Sequence, residues 1–311
     1  MLLKQIMEVY EYIDTATASG KQMKEYLEES YGSKDIEVKT IKGEEGETDF
    51  IRIRIPGKSG KSKGKNAPTI GILGRLGGIG ARPEMIGMVS DADGAVVALS
   101  VAAKLLDMQE KGDFLDGDVV VSTHICPDAP TQPHDPVPFM GSPVDMVTVN
   151  KEEVDGELDA ILSIDTTKGN KVINHRGFSI SPTVKEGYIL KTSDDLLDIM
   201  EITTGKLPVV FPITIQDITP YGNDIYHLNS ILQPSTATNA PVVGVAITTE
   251  SAVPGCATGA SHPFDLEQAA RFTLEVAKQY GKGNCKFYDK TEFDKLKQLY
   301  GSMDHIQTLG K

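Results

Sequence analysis

Two hydrophobic periods alternate along this chain, and that alternation limits its fold more than any other feature. TIGILG (69–74), DVVVSTHI (118–125), LDAILSID (158–165), PVVFPITI (208–215) and PVVGVAIT (241–248) are nearly unbroken apolar runs. Their length and continuity fit strands covered on both faces. Other segments repeat at helical spacing: residues 94–110 place Val97, Val101, Leu105 and Met108 on one stripe, and another such segment runs from Phe264 to Tyr280. Strands alternating with helices produce crossovers and a parallel sheet with helices on its faces. The expected fold is therefore α/β, three αβα layers around a mixed, mainly parallel sheet.

The remaining elements extend this frame. Leu3, Ile6, Met7, Tyr10 and Ile13 predict a first helix, and Met23, Tyr26 and Leu27 a second after the Ser19-Gly20 break. Ile36 to Ile41 and the run FIRIRI predict two strands, the second with Ile51, Ile53 and Ile55 on one face. Ser193 is placed to cap the helix DDLLDIMEITT and Gly205 to stop it. Asn223-Asp224 stands before a predicted helix carrying His227, and Thr291 begins a final helix with Asp294 in a capping-box position. With no repeat and no linker, residues 1–311 read as one domain: N-terminal helices, strands and a basic loop (1–66), a core (67–280) and a C-terminal helical segment (281–311). In the basic loop GKSGKSKGKN, Gly60-Lys61-Ser62 matches half of a phosphate loop. The glycine required five residues earlier is Ile55, so a solvated loop is the expectation.

Charge narrows the partners. With 31 Lys and Arg against 44 Asp and Glu, the net charge is −13, which argues against nucleic acid or an anionic membrane as the main partner. No apolar run is long enough to span a bilayer, and MLLKQIMEVYEYID reads as an amphipathic helix rather than a signal peptide. Cys126, Cys256 and Cys285 form no CxxC pair and are expected as reduced thiols in a cytoplasmic protein.

Chemistry is expected where the strands stop. TIGILG runs into Arg75-Leu76-Gly77-Gly78-Ile79-Gly80, and Ser90-Asp91-Ala92-Asp93-Gly94 opens the 94–110 helix. DVVVSTHI leads into Cys126, Asp128 and His134, in a loop stiffened by five prolines between 127 and 138. LDAILSID ends at Asp165, and the loop after PVVGVAIT carries GCATG and His262. HExxH and GxGxxG are both absent. Carboxylates and imidazoles spread over several strand ends are what metal-assisted hydrolysis on such a sheet requires.

From about residue 68 to 280 this order of elements resembles the co-catalytic zinc aminopeptidases and related deacylases. In that resemblance Asp91, in GMVSDADGAVVAL, matches the zinc-bridging aspartate, and Asp165, in AILSIDTT, the third carboxylate. The pattern Gly-His-x-Asp reads Gly74-Arg75-Leu76-Gly77, Glu-Glu reads Pro127-Asp128, and the last histidine falls near Val253-Pro254, nine residues before His262. Over nearly its whole length the chain also resembles the family catalogued as domain of unknown function 1177, through GRLGGIGARPE, SDADGA, THICPDAPTQPHDPVPFMGSPVDM, DTTKGN, NHRGF and AVPGCATGASHP.

The resemblance implies a metal-dependent hydrolase of amide bonds in small peptides or acyl amino acids. A divalent metal, zinc first, would sit on Asp91, Asp165, His134 and His262. Asp128 and Arg75 are the candidate catalytic residues, Arg75 as a bidentate clamp on a substrate carboxylate. The lost ligands leave an alternative, a non-catalytic small-molecule or peptide binding protein on the same scaffold. The resemblance and the proline-rich arm at 127–143 further imply a homo-oligomer.

Overall fold

The computed structural model describes residues 1–33, 35–75, 78–80, 87–133, 139–167, 169–228, 230–251 and 261–310. In chain order its helices and strands are α1 (Leu3–Ile13), α2 (Gly20–Tyr31), β1 (Ile36–Gly43), β2 (Gly46–Ile55), β3 (Ile70–Gly74), α3 (Asp93–Glu110), β4 (Val119–Ile125), β5 (Thr131–Gln132), β6 (Phe139–Met140), α4 (Met146–Glu153), β7 (Ala160–Thr166), β8 (Gly177–Ile180), β9 (Val184–Lys185), β10 (Tyr188–Ile189), α5 (Asp194–Thr204), β11 (Val242–Thr248), α6 (Pro263–Gly281) and α7 (Lys290–Tyr300).

The main sheet runs β1-β2-β4-β3-β7-β11-β9-β10, with β8 also paired to β11. Its four central strands, β4, β3, β7 and β11, are parallel, and antiparallel strands flank them on both sides. The fold is α/β with a mixed, mainly parallel sheet, as the alternation predicts. The apolar runs lie in the middle because only there are both faces covered.

Residue alternation sorts the side chains between two faces. Ile70, Ile72, Val119, Val121, Leu162, Ile164, Val243 and Val245 join α1, α2, α3, α5 and α6 in the larger core. Leu73, Val120, Ile161, Val242 and Ala246 point the other way, into a smaller core with Phe211, Ile218, Ile231 and Leu232. The covering of that second face is mostly irregular chain plus α4. α3 is buried almost all round, from Asp93 to Leu106, so its apolar residues extend well beyond the predicted stripe.

Local signals account for several boundaries. Ser193 accepts a hydrogen bond from Leu196 N at the start of α5, and Gly205 closes that helix at φ +68°. Three expectations are corrected. Residues 208–215 form no strand: Pro208 and Pro212 lack the N–H a central strand needs, and only Val210 bridges to Ile180. No helix follows Asn223-Asp224: the Asn223 side chain accepts from Ile225 N, Asp224 has φ +58°, and the chain turns. The cap of α7 is Asp289, whose carboxylate accepts from Thr291 N and Glu292 N, while Asp294 pairs with Lys290. Among the described residues no helix is long and apolar enough to cross a membrane.

Candidate functional site

The parallel strands end along one edge, and β7 supplies the hinge of the site. Asp165 and Thr166 are neighbours on a strand, so their side chains leave opposite faces of the sheet. Thr166 Oγ1 donates to Ser90 O, in the short 3₁₀ turn Ser90–Ala92 that precedes α3. Asp165 turns toward the smaller core. One dipeptide thus ties together two polar clusters on the two sides of the sheet.

The cluster on the α4 side is buried and charged. Asp165 Oδ2 accepts from Ser230 Oγ at 2.9 Å, and Oδ1 accepts from Thr166 N at 2.7 Å. Burial drives its carboxyl up to about 6, while Ser230 and the Arg75 charge hold it down and Glu153 adds to the rise. Arg75, directly after β3, is 0% exposed and forms an ion pair through Nη1 with Glu153 Oε2 at the end of α4. The other Glu153 oxygen lies 2.9 Å from His124 Nδ1 on β4. Arg75 Nη2 contacts Met146 Sδ at 2.8 Å, and its Nε has no hydrogen-bond partner among the described residues. Tyr221 flanks this group. Its ring lies 4.3 Å from that of His227, and burial with the nearby Asp165 charge raises its phenol.

The cluster on the α3 side sits at the mouth of the sheet. Asp91 is buried in the Ser90–Ala92 turn, and Gly78 runs close against it: a Cβ at 78 would lie 2.8 Å from Asp91 Oδ2. Gly78 bridges to Cys126, whose thiol burial raises to about 11, so it rests as a neutral thiol. Ser261 Oγ donates to Asp93 Oδ1, which brings the start of α6 beside the start of α3. His262 is the N-cap residue of α6 and is exposed.

The six sequence candidates are therefore distributed as follows. Asp91 and Asp165 are joined through the Thr166–Ser90 hydrogen bond, and Arg75 lies within the electrostatic reach of Asp165. His262 is carried to the Asp93 end of the mouth by Ser261. Asp128 is exposed on the loop after β4. His134 lies outside the described residues, as do Cys256 and Thr258 of GCATG. The guanidinium of Arg75 faces Glu153 in the interior, not an open cleft. Among the described residues no three His, Cys, Asp or Glu side chains stand where they could share a metal ion. They do not fit the two-zinc site that the resemblance implies.

Glu153, Ser230 and Tyr221 are absent from the sequence reading. The sequence of α4, MVTVNKEE, mixes β-branched and charged residues without an apolar stripe, so its period announces no helix. The available signal was Asp145, whose side chain accepts from Thr148 N and caps that helix.

The fold is similar to that of solved aminopeptidases. An aminopeptidase of Legionella pneumophila, LapA, is 13% identical, with 93% of this chain and 71% of that one covered at a TM-score of 0.47. Leucine aminopeptidase LAP1 of Caenorhabditis elegans is 12% identical, with 90% of this chain and 66% of that one covered at a TM-score of 0.51. At such identity the nematode enzyme shares the fold alone. No curated protein matches. A family profile described as "Protein of unknown function (DUF1177)" matches residues 39–310.

Proposed function

Since the chain belongs to the DUF1177 family and has an aminopeptidase-like fold, we propose that it is a binding protein for a small peptide or acyl amino acid. One observation carries this reading: the cation at the end of β3 is part of the protein. Arg75 stands where the zinc-aminopeptidase pattern has a metal-binding imidazole, and a guanidinium has five donors and no lone pair to offer a metal. Its charge balances Glu153 and lowers the cost of ionising Asp165. A permanent cation therefore occupies the electrostatic place of the metal.

The test is elemental analysis of the purified protein together with zinc titration. The expected result is no stoichiometric metal and no tight zinc binding. One equivalent of zinc retained through dialysis against a chelator would overturn the reading.

A second reading, metal-dependent hydrolysis of amide bonds in small peptides or acyl amino acids, draws on the other cluster. Asp91, Asp93 and His262 belong to segments that meet at the sheet mouth, and Asp91 is linked to Asp165 through Thr166 and Ser90. This reading expects cleavage of an aminoacyl p-nitroanilide that chelation abolishes and zinc restores, and that Asp91→Ala eliminates together with metal binding.

A further inference from the structure

The buried charges lie beneath a cavity. Between α4, the 3₁₀ turn Gln233–Thr236 and the C-terminal segment is a space of ≈ 580 Å³, within the range of small-ligand pockets. Two of its lining residues reach the charged cluster: Met146 contacts Arg75, and Tyr221 stands close enough to Asp165 for that charge to raise its phenol. A molecule in this cavity is thus separated from Arg75 by a single side chain, Met146.

The lining has a definite chemistry. Met146, Val154, Pro220 and Leu309 are apolar. Asn150 also lines the space and is 4% exposed; its Nδ2 donates to Gln233 O at 3.1 Å, but its Oδ1 has no donor among the described residues. A buried carbonyl acceptor without a donor is costly, and a ligand N–H would remove that cost. Lys151 stands exposed at the rim as a cation.

We propose that this cavity is the binding site of an N-acyl amino acid or dipeptide with an apolar side chain. The ligand's amide N–H would donate to Asn150 Oδ1, its carboxylate would pair with Lys151, and its side chain would pack among Met146, Val154 and Leu309. The proposal rests on the binding reading above and gives it a place and a ligand class.

Isothermal titration calorimetry with N-acetyl-L-leucine as the probe tests it. The expected result is saturable binding to the wild-type chain, about tenfold weaker for the methyl ester, which lacks the carboxylate. Asn150→Leu and Ala237→Trp are each expected to weaken binding by at least about tenfold. Ala237 is an exposed lining residue, so its replacement narrows the cavity without disturbing the core, should Asn150→Leu fail to fold. Binding unchanged in Ala237→Trp but lost in Asp165→Asn would place the ligand at the strand ends and overturn this inference alone. No saturable binding of N-acetyl-L-leucine or of leucyl-glycine at millimolar concentration would overturn both this inference and the binding reading.

Discussion

Arg75 and Glu153 form an ion pair with neither side chain open to solvent, although 78 residues of sequence separate them. A buried pair of this kind stabilises little relative to a well-packed apolar pair, but it is costly to break on one side. Glu153→Ala would leave the guanidinium charged, buried and unpaired, and would also remove the partner of His124 Nδ1. The expected loss is about 3–5 kcal/mol in urea unfolding. Replacing both residues, Arg75→Met with Glu153→Leu, should recover most of it. A single Glu153→Ala variant as stable as wild type would show that water reaches the guanidinium.

The pH dependence of stability has a component of unusual sign. Asp165 rises from 3.8 to about 6 in the folded chain, with burial as the main cause. Between those values the native state keeps a proton that the unfolded chain has released. The stabilisation is therefore complete below about pH 4 and is lost as pH rises through about 6. The full swing is about 3 kcal/mol. Glu186 and Glu275, both lowered by lysine partners, work in the opposite direction, so the total curve mixes the two. Subtracting the curve of Asp165→Asn from that of wild type isolates the Asp165 component. Denaturant unfolding from pH 4 to 7 should show wild type losing ground steadily against the variant, and a flat difference would mean that the carboxyl titrates normally.

How far sequence carries depends on whether a signal is local. The parallel strands and α3, α5 and α6 were legible because burial on both faces or on one stripe leaves a period in the residues themselves. DDLLDIMEITT was bounded at both ends by Ser193 and Gly205, which act within one turn. Asp91 and Asp165 could be named as candidates because one precedes and the other ends a readable element. Glu153 was not, since its importance comes from Arg75 and His124, on other strands, and nothing in MVTVNKEE announces them. PVVFPITI was misread because its apolar residues satisfy a strand pattern while its two prolines remove the donors a strand needs there. Phe211 is buried all the same, in the smaller core, as a loop residue.

The half-matched phosphate loop has a structural explanation that makes its own prediction. Asp118 accepts from Gly57 N at 2.7 Å, from Ser62 N at 2.8 Å and from Ser62 Oγ at 2.7 Å. A carboxylate of the protein thus fills the cradle that an anion would take. Gly60 permits this approach, since a Cβ there would lie 1.8 Å from Asp118 Oδ1. Asp118→Ala would orphan three donors and should cost about 1–3 kcal/mol. Hydrogen exchange should accelerate across residues 57–66 while α6 stays protected. No acceleration would mean that the loop is held by its other contacts, such as Lys61 with Asp159.

Gly78 bears on the mouth of the sheet in the same way. A Cβ at this position would meet Asp91 Oδ2 and Met140 Cε at 2.8 Å each, and Ala129 Cβ at 3.2 Å. The methionine tip can swing aside, but the Asp91 carboxylate is buried in a 3₁₀ turn tied to β7 through Ser90 and Thr166. Gly78→Ala should therefore move Asp91 or strain the turn, at about 1–3 kcal/mol. Gly156, with nothing within 4 Å of its Cβ position, is the control, and Gly156→Ala should leave the melting temperature nearly unchanged. If Asp91 takes part in metal binding, as the hydrolase reading requires, Gly78→Ala should weaken zinc uptake beyond its effect on stability. If the binding reading holds, the two variants should differ in melting temperature while N-acetyl-L-leucine binds both equally, because the cavity beside α4 lies on the other side of the sheet.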